Sequence, residues 1–134
     1  MLAHDSAKQR AALTTALHSS GWFHVVGEVA AGDDLVPLVE ATQPDSVIVR
    51  LLLPRMNGLA ALPHLRRVAP SSVVTLMSVT PSEELEAIAV ARGADLCIEE
   101  SMPAEALTQR LLRVMSRTEW FRCSANSVSV PLTP

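Results

Sequence analysis

The hydrophobic and polar positions of the chain follow two alternating spacings. Short apolar runs, such as Val47–Val49 within SVIVRLLLPRMNG, are typical of strands that are covered on both faces. Longer segments between them carry apolar residues three and four positions apart, as amphipathic helices do. The pattern predicts strands at residues 1–3, 23–30, 46–52, 72–78 and 94–99. It predicts helices at about residues 6–19, 34–42, 58–68, 81–92 and 103–117.

Five strand–helix repeats predict a parallel sheet with helices on both faces. Because crossovers are right-handed, few topologies remain, and the sequence predicts a flavodoxin-like (βα)5 doubly wound α/β fold with strand order 2-1-3-4-5. Sites in such sheets lie beyond the carboxyl ends of the strands, at the switch point between strands 1 and 3. The polar residues predicted at that edge are His4, Asp5, Arg50, Ser78, Glu99 and Glu100.

The fourth predicted helix has the clearest signals for its ends. Thr80 is predicted as its N-cap, Pro81 as its first residue, and Glu83 as the partner that completes a capping box. Gly93 is predicted to end it.

Composition narrows the class of protein. A length of 134 residues suits one domain, and a net charge of −3 lacks the basic surface of a nucleic-acid binder. Cys97 and Cys123 form neither a disulfide framework nor a metal-ligand cluster, which fits a reducing compartment. No apolar run approaches the roughly 18 residues of a membrane span. We therefore expect a soluble cytoplasmic domain that itself contacts neither DNA nor a membrane.

Three segments resemble the receiver domain of bacterial response regulators. LLLPRMNGLAAL resembles the family's aspartate-x-x-x-Pro-x-Met-Asp-Gly turn, and GADLCIEESMPAEAL resembles its fifth strand and the approach to its last helix. VVGEVAAGDDLVPLVEATQPDSVIV is similar to receivers that precede a LuxR- or NarL-type helix-turn-helix. The resemblance covers residues 1 to about 117 and implies a regulatory, non-enzymatic module of two-component signalling.

In that family an aspartate takes up a phosphoryl group, two acids after strand 1 help to hold Mg²⁺, and a lysine after strand 5 pairs with the phosphoryl group. A hydroxyl after strand 4 and an aromatic residue in strand 5 relay the change. By the resemblance these positions fall on Arg50 for the phospho-acceptor, His4 and Asp5 for the acidic pair, Glu100 for the lysine, and Ser78 and Cys97 for the switch pair.

An arginine at the phospho-acceptor position removes the nucleophile. Its guanidinium stays protonated, cannot attack phosphorus and repels Mg²⁺. The sequence thus predicts an atypical pseudo-receiver with no catalytic residue, metal site or cofactor. We expect Arg50 to pair with Asp5 and Glu100, with the signs of the family's acid and lysine exchanged.

Simpler interpretations stay open for each of these residues. Arg50 could pack its stem and send its head to water, and Asp5 could simply cap the first helix. Glu99 and Glu100 could form a solvated pair. His4 is expected as an exposed residue at the edge rather than a metal ligand. Ser78 could bond only to nearby backbone, and Cys97 is expected as a small buried hydrophobe.

The fourth helix is apolar on more than one face. Its core stripe is predicted as Leu85, Ile88 and Ala89. Three further apolar residues lie off that stripe, and they are Ala87, Val90 and Ala91. These are either a dimer face or harmless exposed side chains, and a dimer could instead use the first and last helices.

The domain prediction is a receiver-like unit at 1–118 and a Ser/Pro-rich linker at 119–134. The final VPLTP is similar to the opening of a helix-turn-helix domain outside this chain. The leading hypothesis is a homodimeric receiver-like domain that controls DNA binding without phosphorylation, with a protein or small-molecule effector. The alternatives are a stand-alone adaptor for a kinase, another regulator or a small ligand, and a flavodoxin-like enzyme or cofactor binder. The last lacks support, because there is no Gly-rich phosphate loop after strand 1 and no tyrosine.

Overall fold

The computed structural model describes residues 1–126, with side chains for residues 1–116. Its one sheet is five-stranded and parallel, with strand order β2-β1-β3-β4-β5, which confirms the predicted fold. The strands are β1 (Leu2–Ala3), β2 (Glu28–Val29), β3 (Ser46–Arg50), β4 (Val73–Ser78) and β5 (Leu96–Glu99). The helices are α1 (Ala7–Ser19), α2 (Gly32–Thr42), α3 (Gly58–Val68), α4 (Glu83–Ala91) and α5 (Ala104–Asn126).

The apolar run of β3 is explained by burial on both faces of the sheet. Val47 and Val49 are fully buried in one core cluster, and Ile48 between them is buried in the other. Successive side chains of a strand point to opposite faces, so a strand covered by helices on both sides is apolar throughout. The run extends past the strand: Leu52 lies in the following turn and is 62% exposed, against our expectation of a strand to residue 52.

The start of α4 differs from the prediction. Its N-cap is Ser82, whose Oγ accepts a hydrogen bond from the N–H of Leu85 at 3.1 Å, so the assignment of Thr80 and Pro81 to the cap and first turn was wrong. Ile88 is also exposed, at 44%, whereas Leu85 and Ala89 pack on the core. The stripe that packs on the core is therefore the i, i+4 pair Leu85 and Ala89.

The last helix continues beyond its predicted end at residue 117. α5 reaches Asn126, because the Ser and Pro residues that indicated a linker are concentrated after that position. The first part of the predicted linker 119–134 is therefore helical, and residues 127–134 lie outside the described part of the chain. In residues 1–126 no helix combines the length and apolar character that crossing a bilayer requires.

Two glycines bring the turn after β3 close to its neighbours. The N–H of Gly58 donates to the carbonyl of Leu51 at 2.8 Å, and a Cβ at Gly58 would collide with the carbonyl oxygen of Arg50. The N–H of Gly32 donates to Pro54 at 3.2 Å on the other side of the turn. This close packing fixes the carboxyl end of β3, where Arg50 lies.

Candidate functional site

The sheet topology brings the ends of β1, β3 and β5 to one edge. Ala3 is paired with Val49, so the residues after β1 lie beside Arg50, the last residue of β3. The loop after β5 is held near by the N–H of Glu100, which donates to the carbonyl of Ser78 at 2.8 Å. Three residues distant in sequence therefore meet at the switch point.

Arg50 is held by two carboxylates, as the sequence predicts. Its Nη1 lies 2.8 Å from Oδ1 of Asp5, and its Nε lies 3.1 Å from Oε1 and 3.2 Å from Oε2 of Glu100. The Arg50 side chain is 21% exposed, so the alternative of a head free in water does not hold. Burial by itself lowers the pKa of Arg50, but the hydrogen bonds to Asp5 and Glu100 and the charges of these two carboxylates together raise the pKa above its ordinary value.

His4 is the fourth member of this cluster and is buried, at 2% exposure, so the expectation of an exposed histidine was wrong. Its Nδ1 accepts the N–H of Ser6 at 3.0 Å, which leaves Nε2 to carry the proton. That Nε2–H donates to Oε1 of Glu100 at 2.7 Å. Both ring nitrogens are partnered, and this is why the ring can be buried.

Asp5 does not cap α1. The N-cap is Ser6, whose Oγ accepts the N–H of Gln9 at 3.3 Å, so Asp5 is left to pair with Arg50. Partial burial raises the pKa of Asp5, but the hydrogen bond from Arg50, a backbone hydrogen bond and the nearby charge of Arg50 together outweigh it and hold the pKa below its ordinary value. Asp5 is 41% exposed, which makes it the most solvated member of the cluster.

The group does not fit the Mg²⁺ that the family resemblance implies. Divalent magnesium requires free carboxylate oxygens, whereas Oδ1 of Asp5 and Oε2 of Glu100 accept from the Arg50 guanidinium, and Oε1 of Glu100 accepts from His4. Within the described side chains, no set of three or more His, Cys, Asp and Glu is arranged to hold a metal ion. By the resemblance, the fixed positive charge of Arg50 stands at the phospho-acceptor position.

The other edge residues lie outside the ion-pair cluster. Ser78 is buried, and its Oγ accepts the N–H of Thr80 at 3.2 Å, a local backbone bond of the kind expected. Glu99 is exposed and accepts from Ser101, so it forms no solvated pair with Glu100. Cys97 is half-buried rather than buried, and burial followed by the charge of Glu86 raises the pKa of its thiol.

Sequence reasoning missed Arg10. Its Nη1 donates to the carbonyl of His4, and its Nε lies 3.4 Å from Oε1 of Glu28, so it ties the residue after β1 to β2. Position 10 lies one helical turn after the N-cap Ser6, on the side of α1 that faces the sheet edge. This spacing from the N-cap is the sequence signal that could have identified Arg10.

The three candidate interface residues Ala87, Val90 and Ala91 are exposed on α4. Val90 is 54% exposed, and Ile88 on the same helix joins them at 44%. The structure thus places more apolar surface on α4 than the sequence predicts.

Comparison with known proteins identifies relatives of this chain. The family model for the response regulator receiver domain matches residues 1–112. The nitrate/nitrite response regulator protein NarL of Escherichia coli (strain K12) is 37% identical over 87 residues, which are 65% of this chain and 40% of NarL. Protein-glutamate methylesterase/protein-glutamine glutaminase 4 of Geobacter metallireducens is 32% identical over 85 residues, 63% of this chain and 24% of that protein. The matched stretch therefore spans less than half of either relative.

A solved structure shows the same fold. The two-component response regulator of the LuxR family from Aurantimonas sp. SI85-9A1 superposes with a TM-score of 0.82 at 22% identity, over 87% of this chain and 84% of that one.

Proposed function

Because the chain belongs to the response regulator receiver domain family, we propose that it is a pseudo-receiver that regulates without aspartyl phosphorylation. The observation that carries the proposal is the pairing of Arg50 with Glu100 at 3.1 Å. By the resemblance, these residues occupy the phospho-acceptor and lysine positions. A guanidinium has no free electron pair for attack on phosphorus, so the phosphoryl group finds no acceptor.

The cluster acts as a permanent cross-link between the ends of β1, β3 and β5. In a phosphorylated receiver the added phosphoryl group draws the lysine and hydroxyl toward the acceptor. Here Arg50 joins Asp5 and Glu100 through charged groups, and His4 adds a hydrogen bond to Glu100. One conformation is therefore held regardless of phosphate, and control comes from protein level, a protein partner or a small ligand.

The regulated output is DNA binding by a domain beyond this chain. We assign residues 1–118 to the receiver unit and 119–134 to the connection, with a LuxR-type helix-turn-helix to follow. The similarity of VPLTP to the opening of such a domain and the partial coverage of NarL support this assignment. The receiver unit itself is a cytoplasmic non-enzyme, and it forms a homodimer through the exposed apolar residues of α4.

Intact-mass measurement after incubation with acetyl phosphate and Mg²⁺ tests the proposal. We expect no mass gain for the wild-type chain. A stoichiometric phospho-adduct that is labile at alkaline pH overturns the proposal. The matched variant is the triple substitution His4→Asp, Arg50→Asp, Glu100→Lys, which restores the family's residue types at the acidic-pair, phospho-acceptor and lysine positions. It is expected to gain an adduct in the same assay.

A further inference from the structure

A cavity of about 260 Å³ lies at the opposite edge of the sheet, beyond the amino end of β3. Part of its wall is apolar and is formed by Leu17 from α1, Ile48 from β3, and Leu111 and Met115 from α5, all buried. Trp22, in the loop after α1, lines it as well while remaining 53% exposed. A half-exposed indole beside an apolar cavity offers an aromatic face to a ligand.

The loop that carries Trp22 is held in place by its own hydrogen bonds. The N–H of Trp22 donates to Oγ of Ser20 at 3.2 Å, and the N–H of Val25 donates to Nε2 of His18 at 3.0 Å. The rings of His18 and His24 stack, with centroids 5.4 Å apart and planes within 5°. A ligand that enters finds the wall already formed, so little ordering entropy opposes binding.

One polar atom at the cavity lacks a partner. Oγ of Ser46, a lining residue, is shielded from solvent and has no hydrogen-bond partner among the described residues. A buried hydroxyl without a partner is destabilising, and rotation about χ1 can turn it toward a bound molecule. Ser46 therefore offers a place for a hydrogen bond beside the apolar part of the wall.

The charges around the cavity disfavour an anion. No arginine or lysine is among its described lining residues, and Asp45 lies exposed at its rim. The Met1 amino group donates to the carbonyl of Ser46 at 3.2 Å, and burial lowers its pKa to about 6, so it is largely uncharged at neutral pH. A neutral ligand meets no opposing charge.

We propose that this cavity is a binding site for a small neutral aromatic molecule that carries one hydroxyl or N–H group. The ring packs against Trp22 and the apolar walls, and its polar group bonds Oγ of Ser46. Such a ligand would touch α5 through Leu111 and Met115, and α5 is the helix that continues toward the C-terminus. The site is separate from the Arg50 cluster and does not depend on how that cluster functions.

The five methionines of the chain report binding directly. Met1 and Met115 line this cavity, Met77 and Met102 line a second one beside His4, and Met56 lines neither. We would titrate methyl-labelled protein with p-cresol and follow the five methyl resonances. Saturable ring-current shifts confined to Met1 and Met115, with a dissociation constant of about 1 mM or below, are expected. No shift, or shifts at Met77 and Met102 instead, would overturn the site.

A comparison of p-cresol with toluene in wild type and Ser46→Ala tests the hydrogen bond. The substitution is expected to weaken p-cresol binding about fivefold and to leave toluene binding unchanged. Ser19→Ala is the matched control, since Ser19 is exposed on α1 and does not line the cavity. Equal p-cresol affinity in wild type and Ser46→Ala would overturn the role of Ser46.

Discussion

Nε of Arg50 lies 3.1 Å from Oε1 of Glu100, although 50 residues separate them in the chain. Both side chains are mostly shielded from solvent, at 21% and 14% exposure. Charges in such a position are screened less than surface charges, and either one alone would be poorly solvated. We therefore expect this ion pair to contribute more to the free energy of unfolding than an exposed surface pair does.

The first prediction concerns the coupling of this pair. Arg50→Ala and Glu100→Ala should each lower the free energy of unfolding by about 1–3 kcal/mol, between the values for exposed and fully buried pairs. The double variant should lose less than the sum, because the second substitution removes a charge already left alone. Urea unfolding of the three variants and the wild type measures this cycle.

Arg55→Ala is the control for this cycle. Arg55 contacts Asp33 and Asp34 at 2.7 and 2.8 Å with similar geometry, but its side chain is 57% exposed. The decrease in the free energy of unfolding should be clearly smaller for Arg55→Ala than for Arg50→Ala. Strict additivity of Arg50→Ala and Glu100→Ala, with each loss below about 0.5 kcal/mol, would contradict the coupling.

The second prediction is an acid-dependent loss of stability from Asp5. Its pKa is lowered in the folded state, so its pairing with Arg50 stabilises the fold above the unfolded-state pKa and is lost as pH falls through the folded one. Because Asp5 is 41% exposed, the effect is at most about 1 kcal/mol. Urea unfolding near pH 6 and below pH 4 should show a smaller decrease for Asp5→Asn than for wild type. Parallel pH profiles would contradict the pairing.

The third prediction concerns the close approach of Gly58 to β3. Gly58→Ala places a Cβ against the carbonyl oxygen of Arg50, which is backbone and cannot move aside freely. We expect a loss of about 1–3 kcal/mol in urea unfolding, as for other overpacked sites. A gain in stability would show instead that the higher helix propensity of alanine at the start of α3 decides the outcome.

The contact of Arg50 with Asp5 could be predicted because it depends only on topology. Once β1 and β3 are neighbours, the residues that end them must meet. The burial of His4 could not be predicted from the sequence, because it depends on two hydrogen-bond partners that no local sequence pattern links. One is the N–H of Ser6, and the other is Glu100, 96 residues away.

The start of α4 shows a second limit of sequence reasoning. Thr80 and Ser82 are both good N-cap residues two positions apart, and Thr80 also has Glu83 at the capping-box spacing. Local propensity favours neither strongly. Packing of Leu85 and Ala89 on the core accompanies the use of Ser82 and leaves Ile88 exposed.

The last prediction is that the chain forms a symmetric dimer through α4 without activation. A twofold contact uses the same patch on both copies, and the exposed residues Ala87, Ile88, Val90 and Ala91 supply an apolar one. Val90→Glu puts a carboxylate on that patch. In the dimer, the carboxylates of the two subunits would face each other across the twofold axis and repel. Sedimentation equilibrium at micromolar protein should show a dimer for wild type and a monomer for Val90→Glu.

Val26→Glu is the matched control, because Val26 is 51% exposed against 54% for Val90 but lies in the loop after α1. It should leave the dimer intact, since the added charge is away from α4. A wild-type monomer at every concentration would exclude a constitutive dimer. Burying an unpaired carboxylate in an apolar contact is unfavourable, so a dimer that survives Val90→Glu would have to form through another face. The sequence also allows a face built from α1 and α5.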